Sequence, residues 1–382
     1  MYWIAILFTA VILSVYCLLI LIYRQWFLRL PLFSKPAATI PQTRFSVIIP
    51  ARNEEVSIER CLRTVLEQPY PSDLFEVILI NDHSTDQTEN IIRNLQQSFS
   101  NLRLLNLTDH LQGNTINAYK KKAIEIAISQ SKGSWIVTTD ADCMVSAQWL
   151  TVLDAYIQKE HPVFVAAPVM FTNDHSFLSV FQLLDFISLQ GITAAAVSAG
   201  YHTMCNGANL AYRKDVFDEV EQFNGIDQIA SGDDMLLMHK IKEKYPGRLG
   251  YLFCRESIVT TAPMPDWNSF LNQRIRWASK ADKYRDRSIF WTLALVYAVN
   301  FFLLLLLLIS PFFTNGFSNW LILIVVKMLI ELSLMIPVAR FYQHEKALRW
   351  FLLMQPFHIL YTVIAGWLGK FGTYQWKGRT VK

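Results

Sequence analysis

Residues 1–23 contain no charged side chain, and this limits what the start of the chain can fold into. An uncharged apolar stretch of this length can cross the ~30 Å hydrocarbon core of a bilayer as one helix. It lacks the basic start and the short apolar region of a cleaved signal peptide, so we expect a retained membrane anchor over residues 1–30. Arg24, Arg29 and Lys35 follow it, and by the positive-inside rule they place the next part of the chain in the cytoplasm.

Three further apolar segments lie near the end of the chain, at residues 289–312, 317–339 and 350–368. They predict a C-terminal membrane region over residues 288–369, followed by a basic tail over residues 370–382. Four full crossings would place this basic tail outside the cell, so either the last segment does not cross fully or the positive-inside rule fails here. The segments predict a multi-pass protein of the cell (inner) membrane with a cytoplasmic middle domain.

Polar side chains also lie within these apolar segments. Lys327 and Glu331 are four residues apart and fall on one helix face, which favours an ion pair over a role in lining an acceptor site. Gln355 and His358 favour hydrogen bonds between helices over chemistry.

The middle of the chain has the pattern of a water-soluble domain. A proline-containing linker over residues 31–43 precedes a predicted domain over residues 44–282, in which apolar runs alternate with segments of helical periodicity. The runs FSVIIP from Phe45, FEVILI from Phe75 and SWIVTT from Ser134 are typical of strands buried on both faces. This alternation predicts an α/β fold with a doubly wound, mostly parallel sheet, whose ligands bind beyond the carboxyl ends of the strands.

Polar residues follow three of the predicted strands. Asn53 and Glu55 follow the first strand, Asp82 the second, and Asp140 and Asp142 a later one. Each of these residues alone is explained by turns and helix caps, but together they indicate a ligand site at one edge of the sheet. Two carboxylates two residues apart suit a hard divalent cation, which would neutralise a departing diphosphate.

Residues 176–200 form an apolar segment that contains one charged residue, Asp185. A membrane crossing here would place Asp140 and Asp142 on one side and all later polar motifs on the other. We therefore expect an interfacial helix beside the acceptor entrance rather than a span.

Three later motifs offer candidate site residues. Gly207 either allows close backbone approach to a ligand or serves a turn. Asp234 begins a predicted helix, where the helix dipole favours a carboxylate, and it could also act as the general base that deprotonates an acceptor hydroxyl. Gln273, Arg276 and Trp277 precede the membrane segments, either as an interfacial anchor or as contacts to a diphosphate and a sugar.

Charge and cysteine content exclude other classes of protein. The net charge is +4 without a block of like charge, so nucleic-acid binding has no electrostatic support. None of the five cysteines forms a C-x-x-C pair, so neither a structural zinc site nor a disulfide framework is indicated.

Six motifs, SVIIPARNEE, INDHSTD, KKKAIEIAI, TTDADC, GDDMLLMHK and QRIRW, occur in this order over residues 45–280. In this order and spacing they resemble the membrane-bound family 2 glycosyltransferases of the GT-A fold, in the Q-x-x-R-W branch that includes ceramide glucosyltransferases and polysaccharide synthases. The resemblance implies a hexosyltransferase that transfers a sugar, with inversion, from a nucleotide sugar to a membrane lipid. A UDP-sugar is favoured over a GDP-sugar. The alternatives are a processive polysaccharide synthase with a saccharide acceptor and, more distantly, a non-catalytic membrane protein that binds sugar nucleotides.

The resemblance also implies roles for individual residues. The implied nucleotide site contains Pro50, Ala51, Asn53, Glu55, Asp82, Lys120 and Asp140. Asp140 and Asp142 would hold Mg²⁺ or Mn²⁺, and Asp234 would be the catalytic base. The implied acceptor and diphosphate region contains Gln273, Arg276 and Trp277. We expect Asp82, Asp140, Asp142, Asp234 and Arg276 to converge on one cleft beside the bilayer.

Three positions depart from the family pattern and bear on the identity of the donor. Tyr119 stands where relatives usually have Gly, Asn81 replaces the first Asp of a common pair, and Asp233 replaces the usual Glu before the base.

Overall fold

The structure is a computed structural model that describes residues 2–36, 39–111, 118–229, 232–280, 286–372, 374–376 and 379–381. Several predicted features therefore lie outside the described residues. They are Asn117 at the start of a predicted helix, Ser231 before the predicted base, and Lys377 and Lys382 of the basic tail.

The secondary structure of the described residues alternates between helices and strands over most of the chain. The α-helices are α1 Tyr2–Leu28, α2 Ile58–Leu66, α3 Thr88–Gln96, α4 Thr108–Leu111, α5 Tyr119–Ser129, α6 Trp149–Glu160, α7 Phe177–Ser198, α8 Lys214–Glu219, α9 Asp233–Lys244, α10 Trp267–Ala278, α11 Arg287–Ile309, α12 Gly316–Phe341 and α13 Phe351–Phe371. The strands are β1 Phe45–Ala51, β2 Phe75–Asn81, β3 Leu102–Asn106, β4 Trp135–Thr138, β5 Cys143–Met144, β6 Phe164–Ala166, β7 Val169–Phe171, β8 Leu210–Arg213, β9 Leu249–Tyr251, β10 Val259–Thr261, β11 Tyr374–Trp376 and β12 Arg379–Val381. Short 3-10 helices lie at Arg255–Ser257, Ser310–Phe312 and Glu345–Trp350.

The chain forms two compact units. One, which we call the sheet unit, contains Pro31–Met170 and Thr203–Ala262. The other, the helical unit, contains Met1–Leu30, Phe171–His202 and Pro263–Lys382. The sequence-based domain at 44–282 has different bounds, because α7 and α10 belong to the helical unit.

The sheet unit is built on a seven-stranded sheet of order β3-β2-β1-β4-β8-β6-β9. The strand pairs β3–β2, β2–β1, β1–β4 and β6–β9 are parallel, and β8 runs antiparallel to both of its neighbours. The apolar runs of β1 and β2 are almost fully buried, as expected for strands with both faces covered. The predicted mostly parallel α/β sheet is therefore confirmed.

The strand register brings the predicted site segments to one edge. Ala51 pairs with Asn81 at the ends of β1 and β2. Thr138, the last residue of β4, pairs with Ile48 of β1 and with Leu210 at the start of the antiparallel β8. The carboxyl ends of β1, β2 and β4 and the amino end of β8 therefore share this edge.

Gly133, just before β4, occupies a position without room for a side chain. A Cβ there would lie 2.5 Å from the backbone nitrogen of Ser46 and 2.6 Å from the backbone carbonyl carbon of Phe45. We expect Gly133→Ala to lower the free energy of unfolding by about 2 kcal/mol, because the backbone of β1 cannot move without disturbing its ladders. Thermal unfolding measures this. Lys132→Ala at the exposed neighbouring position is the control, with a change within about 0.5 kcal/mol. Equal melting of both variants would contradict the steric argument.

The helical unit contains the long apolar helices. Five segments of the described chain have the length and composition to cross a membrane: Tyr2–Leu28, Phe177–Ser198, Arg287–Phe312, Gly316–Phe341 and Glu345–Phe371. Four of them overlap the membrane segments predicted from the sequence. Phe177–Ser198, predicted as an interfacial helix of the catalytic domain, is mostly buried and belongs to the helical unit. Its interfacial position stays a prediction.

Buried polar side chains join helices of this unit. Lys327 Nζ lies 2.6 Å from Glu331 Oε1, so the ion pair favoured by their spacing is present. Gln355 of α13 accepts a hydrogen bond from Lys327 at 2.9 Å and donates one to Glu331 at 3.0 Å. Tyr16 of α1 also donates to Glu331, at 2.6 Å. Gln355 thus makes the hydrogen bonds between helices that the sequence favoured.

Candidate active site

The loops that follow β1 and β2 bind each other through side chains. Asn53 accepts a hydrogen bond from the Thr85 amide at 2.9 Å, and Glu55 accepts one from the Gln87 amide at 3.0 Å. The amides of Asn53 and Glu55 in turn donate to Ser84 Oγ and Asp86 Oδ2. Asn53 and Glu55, predicted to contact a nucleotide, therefore fasten the two loops together.

Asp82 lies at the base of this loop pair and is buried. Its amide donates to the carbonyl of Ala51 at 2.8 Å, which continues the pairing of β1 with β2. Its carboxylate lies 2.8 Å from His83 Nδ1 and 3.8 Å from Arg52 Nη1. The ring of His83 packs edge-on against Tyr119, with centroids 5.6 Å apart, so Asp82 is linked by contacts to the start of α5.

Lys120, the next residue of α5, joins two acidic segments. Its Nζ lies 2.8 Å from Asp140 Oδ1 and 3.4 Å from Asp233 Oδ2. Burial disfavours the charged form of Lys120, but the charges of Asp140 and Asp233 outweigh it and raise the pKa of Lys120 above its usual value. Lys120 therefore remains a cation, and it holds the loop after β4 against the start of α9.

Asp140 and Asp142 lie in a tight turn after β4. The turn is closed by the Cys143 amide, which donates to the carbonyl of Asp140 at 3.1 Å. One potential ligand atom from each of Asp140, Asp142 and Cys143 lies within 4.8 Å of the others. Both aspartates are half-buried and Cys143 is buried. Burial and the two carboxylates raise the pKa of the Cys143 thiol, which keeps it neutral. The carboxylate oxygens therefore form the donor set, and they fit a hard divalent cation such as Mg²⁺ or Mn²⁺.

Asp234 is oriented by two backbone donors at the start of α9. Its Oδ2 accepts a hydrogen bond from the Gly207 amide at 3.0 Å, and its Oδ1 accepts one from the Met235 amide at 2.7 Å. Thr138 of β4 donates to the carbonyl of Gly207 at 2.7 Å, so the glycine is held from both sides. A Cβ at Gly207 would lie 3.5 Å from Lys120 Nζ and 3.6 Å from Asp233 Oδ2. Asp234 therefore lies next to Lys120 and its two acidic partners, Asp140 and Asp233.

The structure therefore brings Asp82, Lys120, Asp140, Asp142 and Asp234 to one edge of the sheet unit through a chain of contacts. Pro50 and Ala51 end β1 at the same edge. Gln273, Arg276 and Trp277 lie on α10 of the helical unit, half-buried, so the convergence predicted for Arg276 stays a prediction.

The sequence predicts no catalytic, binding or metal-ligating role for Asp233, Cys143 or Lys121. Asp233 and Cys143 are adjacent in sequence to the predicted site residues Asp234 and Asp142. This adjacency is the feature of the sequence that could have indicated their place in the site. Lys121 sits in a run of three lysines, and nothing in that run distinguishes a buried member.

Lys121 is 2 % exposed and reaches the loop before α9. Its Nζ donates to the carbonyls of Ile226 at 2.8 Å and Ile229 at 2.5 Å. We expect Lys121→Met to speed amide hydrogen exchange around residues 226–229 about tenfold or more, because a hydrogen bond from a charged donor contributes about 1.5–3 kcal/mol. Lys122→Met, at the adjacent exposed position, is the control and should leave exchange unchanged. Equal protection in the two variants would show that Lys121 does not fasten this loop.

Two family models match the chain. "Glycosyl transferase family 2" matches residues 46–221, and "Glycosyl transferase family group 2" matches residues 135–368, more than half of the chain. Together they cover every element of the edge described above.

Individual relatives are similar over shorter segments. The chain is 30 % identical to glycosyltransferase AglE of Haloferax volcanii over 190 residues, which are 50 % of this chain and 58 % of AglE. It is 28 % identical to beta-monoglucosyldiacylglycerol synthase of Synechocystis sp. over 139 residues, 36 % of this chain and 28 % of that protein. The matches thus span less than two thirds of these relatives' own lengths.

A solved structure is similar over nearly the whole chain. It is mannosyltransferase PcManGT from Pyrobaculum calidifontis in complex with GDP-Man and Mn²⁺, with a TM-score of 0.65 and 18 % identity, covering 96 % of this chain and 98 % of that one. At this identity the likeness shows a common fold, and it agrees with the predicted GT-A architecture.

Proposed function

We propose, because the chain belongs to glycosyltransferase family 2, that it transfers a sugar from a nucleotide sugar to a membrane lipid with inversion at the anomeric carbon. The observation that carries this proposal is the cluster at the edge of the sheet. There Lys120 bridges Asp140 and Asp233, and Asp234 is oriented by the amides of Gly207 and Met235.

The donor site is proposed at the joined loops after β1 and β2. Pro50 and Ala51 would contact the nucleotide through backbone atoms. The resemblance implies that the carboxylate of the buried Asp82 lies near the nucleotide base. The sequence favours a UDP-sugar, and the relative of known structure is a complex with GDP-Man. Lys120 is a side-chain cation at this site, and its charge supports binding of a phosphorylated donor.

The carboxylates of Asp140 and Asp142 would hold the divalent cation of this reaction. When bound there, Mg²⁺ or Mn²⁺ would neutralise the charge of the leaving nucleoside diphosphate. The relative of known structure contains Mn²⁺, which supports this assignment.

The proposed general base of the reaction is Asp234. Its carboxylate takes the proton of the acceptor hydroxyl as that oxygen attacks the anomeric carbon. The bond from this carbon to the diphosphate oxygen breaks on the opposite face, which inverts the configuration. The Gly207 and Met235 amides hold the carboxylate in place, so that it need not reorganise during the reaction. The resemblance assigns to Arg276 a contact with the leaving diphosphate.

A lipid acceptor is supported by the apolar helices. The described residues contain five helices with the length and composition to cross a bilayer, and one relative is named a beta-monoglucosyldiacylglycerol synthase. We therefore propose a multi-pass protein of the inner membrane with the sheet unit in the cytoplasm.

The test is an incubation of purified protein in detergent with UDP- and GDP-sugars, Mn²⁺ and a membrane lipid extract. Mass spectrometry should find a lipid that gains one sugar residue from one class of donor. A ladder of products that grow by many residues would favour a processive synthase. Nucleotide binding without any sugar transfer would contradict an enzymatic function.

A further inference from the structure

A buried ion pair in the helical unit connects α10 to α7. Arg274 donates to Asp185 Oδ2 through Nε at 3.0 Å and through Nη2 at 2.6 Å. The side chains of Arg274 and Asp185 are 4 % and 3 % exposed. Tyr361 of α13 donates its hydroxyl to the other oxygen of Asp185. Three helices are therefore tied together at one carboxylate.

The same guanidinium contacts two of the predicted acceptor residues. Arg274 Nη1 donates to Gln273 Oε1 at 2.6 Å. The guanidinium carbon lies 4.3 Å from the ring centroid of Trp277 and 4.6 Å from that of Phe270. Trp277 also packs against Phe186, the neighbour of Asp185 on α7, with ring centroids 5.9 Å apart. Arg274 thus restricts the side chains of both Gln273 and Trp277.

A buried ion pair such as Asp185–Arg274 contributes little to the free energy of unfolding, which favours a role in orienting neighbouring side chains. Two charges lose several kcal/mol of hydration each on burial, and apolar side chains of similar volume often give equal stability. A fork-shaped guanidinium that is bonded on one side and stacked on aromatic rings on the other fixes its neighbours in one orientation. An apolar replacement would fill the same space without orienting Gln273.

We propose that Asp185 and Arg274 are positioning residues that hold Gln273 and Trp277 in the orientation needed to receive the acceptor. This inference rests on the proposed function, because it assigns Gln273 and Trp277 to the acceptor. Asp185 acts through Arg274.

The decisive variant replaces the pair by apolar residues, Asp185→Leu together with Arg274→Met. We expect a folded protein whose melting temperature lies somewhat below that of the wild type, because the Tyr361 hydroxyl loses its acceptor. We expect the acceptor KM to rise about tenfold or more, since misplaced contacts to a substrate can cost up to about a hundredfold. The KM for the donor nucleotide sugar and the slow hydrolysis of the donor without acceptor should not change. A purely structural pair would not separate these two KM values.

A second buried ion pair in the same unit provides the control. Glu331→Gln removes the negative charge that pairs with Lys327, and Glu331 also forms hydrogen bonds with Gln355 and Tyr16. This variant should lower the melting temperature while the acceptor KM stays at the wild-type value. A single Asp185→Asn change should raise the acceptor KM as the double change does.

The outcomes separate the inference from the proposed function. If the wild-type protein transfers no sugar, the proposed function fails. If the wild type is active and the apolar double variant keeps its acceptor KM, the positioning role is wrong. Failure of both Asp185 variants to fold would also overturn it, because the pair would then be required for the fold itself.

Discussion

Asp234→Asn is expected to lower the rate of sugar transfer by roughly 10²–10⁴-fold while the protein still binds the donor nucleotide. The amide cannot accept the proton of the acceptor hydroxyl, and general base catalysis contributes about this much to a rate. The substitution also turns an NH₂ group towards the amide of Gly207 or of Met235, where the carboxylate now accepts two hydrogen bonds. The side chain therefore loses both its basicity and part of its anchoring.

The measurement is initial-rate kinetics of transfer together with calorimetric titration of the nucleoside diphosphate. Asp227→Asn is the control, since Asp227 is an exposed carboxylate in the loop before α9 and should transfer at the wild-type rate. An Asp234→Asn protein with an unchanged rate would remove Asp234 from the role of base.

Asp142→Ala is expected to weaken binding of the nucleoside diphosphate in the presence of Mn²⁺ by about a hundredfold or more. One of the two carboxylates proposed to hold the cation is then missing, and changes in the surroundings of a metal ligand alone already cost about 10–100-fold in affinity. Without added metal, the variant and the wild type should bind the diphosphate with similarly low affinity. The effect on binding therefore depends on the cation and not on folding.

Calorimetry with and without Mn²⁺ measures this difference. The control is Asp73→Ala, because Asp73 is exposed just before β2, at the opposite end of that strand from Asp82. If Asp142→Ala keeps its Mn²⁺-dependent affinity, the cation is held elsewhere.

The sequence predicted the parallel part of the sheet because its strands are continuous apolar runs. The run from Phe45 became β1 and the run from Phe75 became β2, each with an end within one residue of the prediction. The antiparallel β8 was not predicted, because a short strand carries no signal of its direction. The family is also confirmed, since six ordered motifs are far more specific than one. The Q-x-x-R-W branch stays a prediction.

The sequence pattern does not predict contacts between loops that are distant in the chain. The side chains of Asn53 and Glu55 bind backbone amides of the loop that follows the next strand, a contact that their residue types do not reveal. Their contact with a nucleotide stays a prediction. Lys120 was assigned to a nucleotide, and its ion pairs with Asp140 and Asp233 depend on three segments that only the fold brings together. The burial of α7 likewise depends on the helices that pack around it, which the sequence of α7 alone does not identify.

The central claim is that one edge of the sheet unit binds both the diphosphate of the donor and a divalent cation. A crystal structure of the protein with a nucleoside diphosphate and Mn²⁺, recorded at a wavelength where manganese scatters anomalously, tests it most directly. We predict an anomalous peak at the carboxylates of Asp140 and Asp142, with the diphosphate beside it. A manganese peak or a diphosphate located away from these carboxylates would contradict the account.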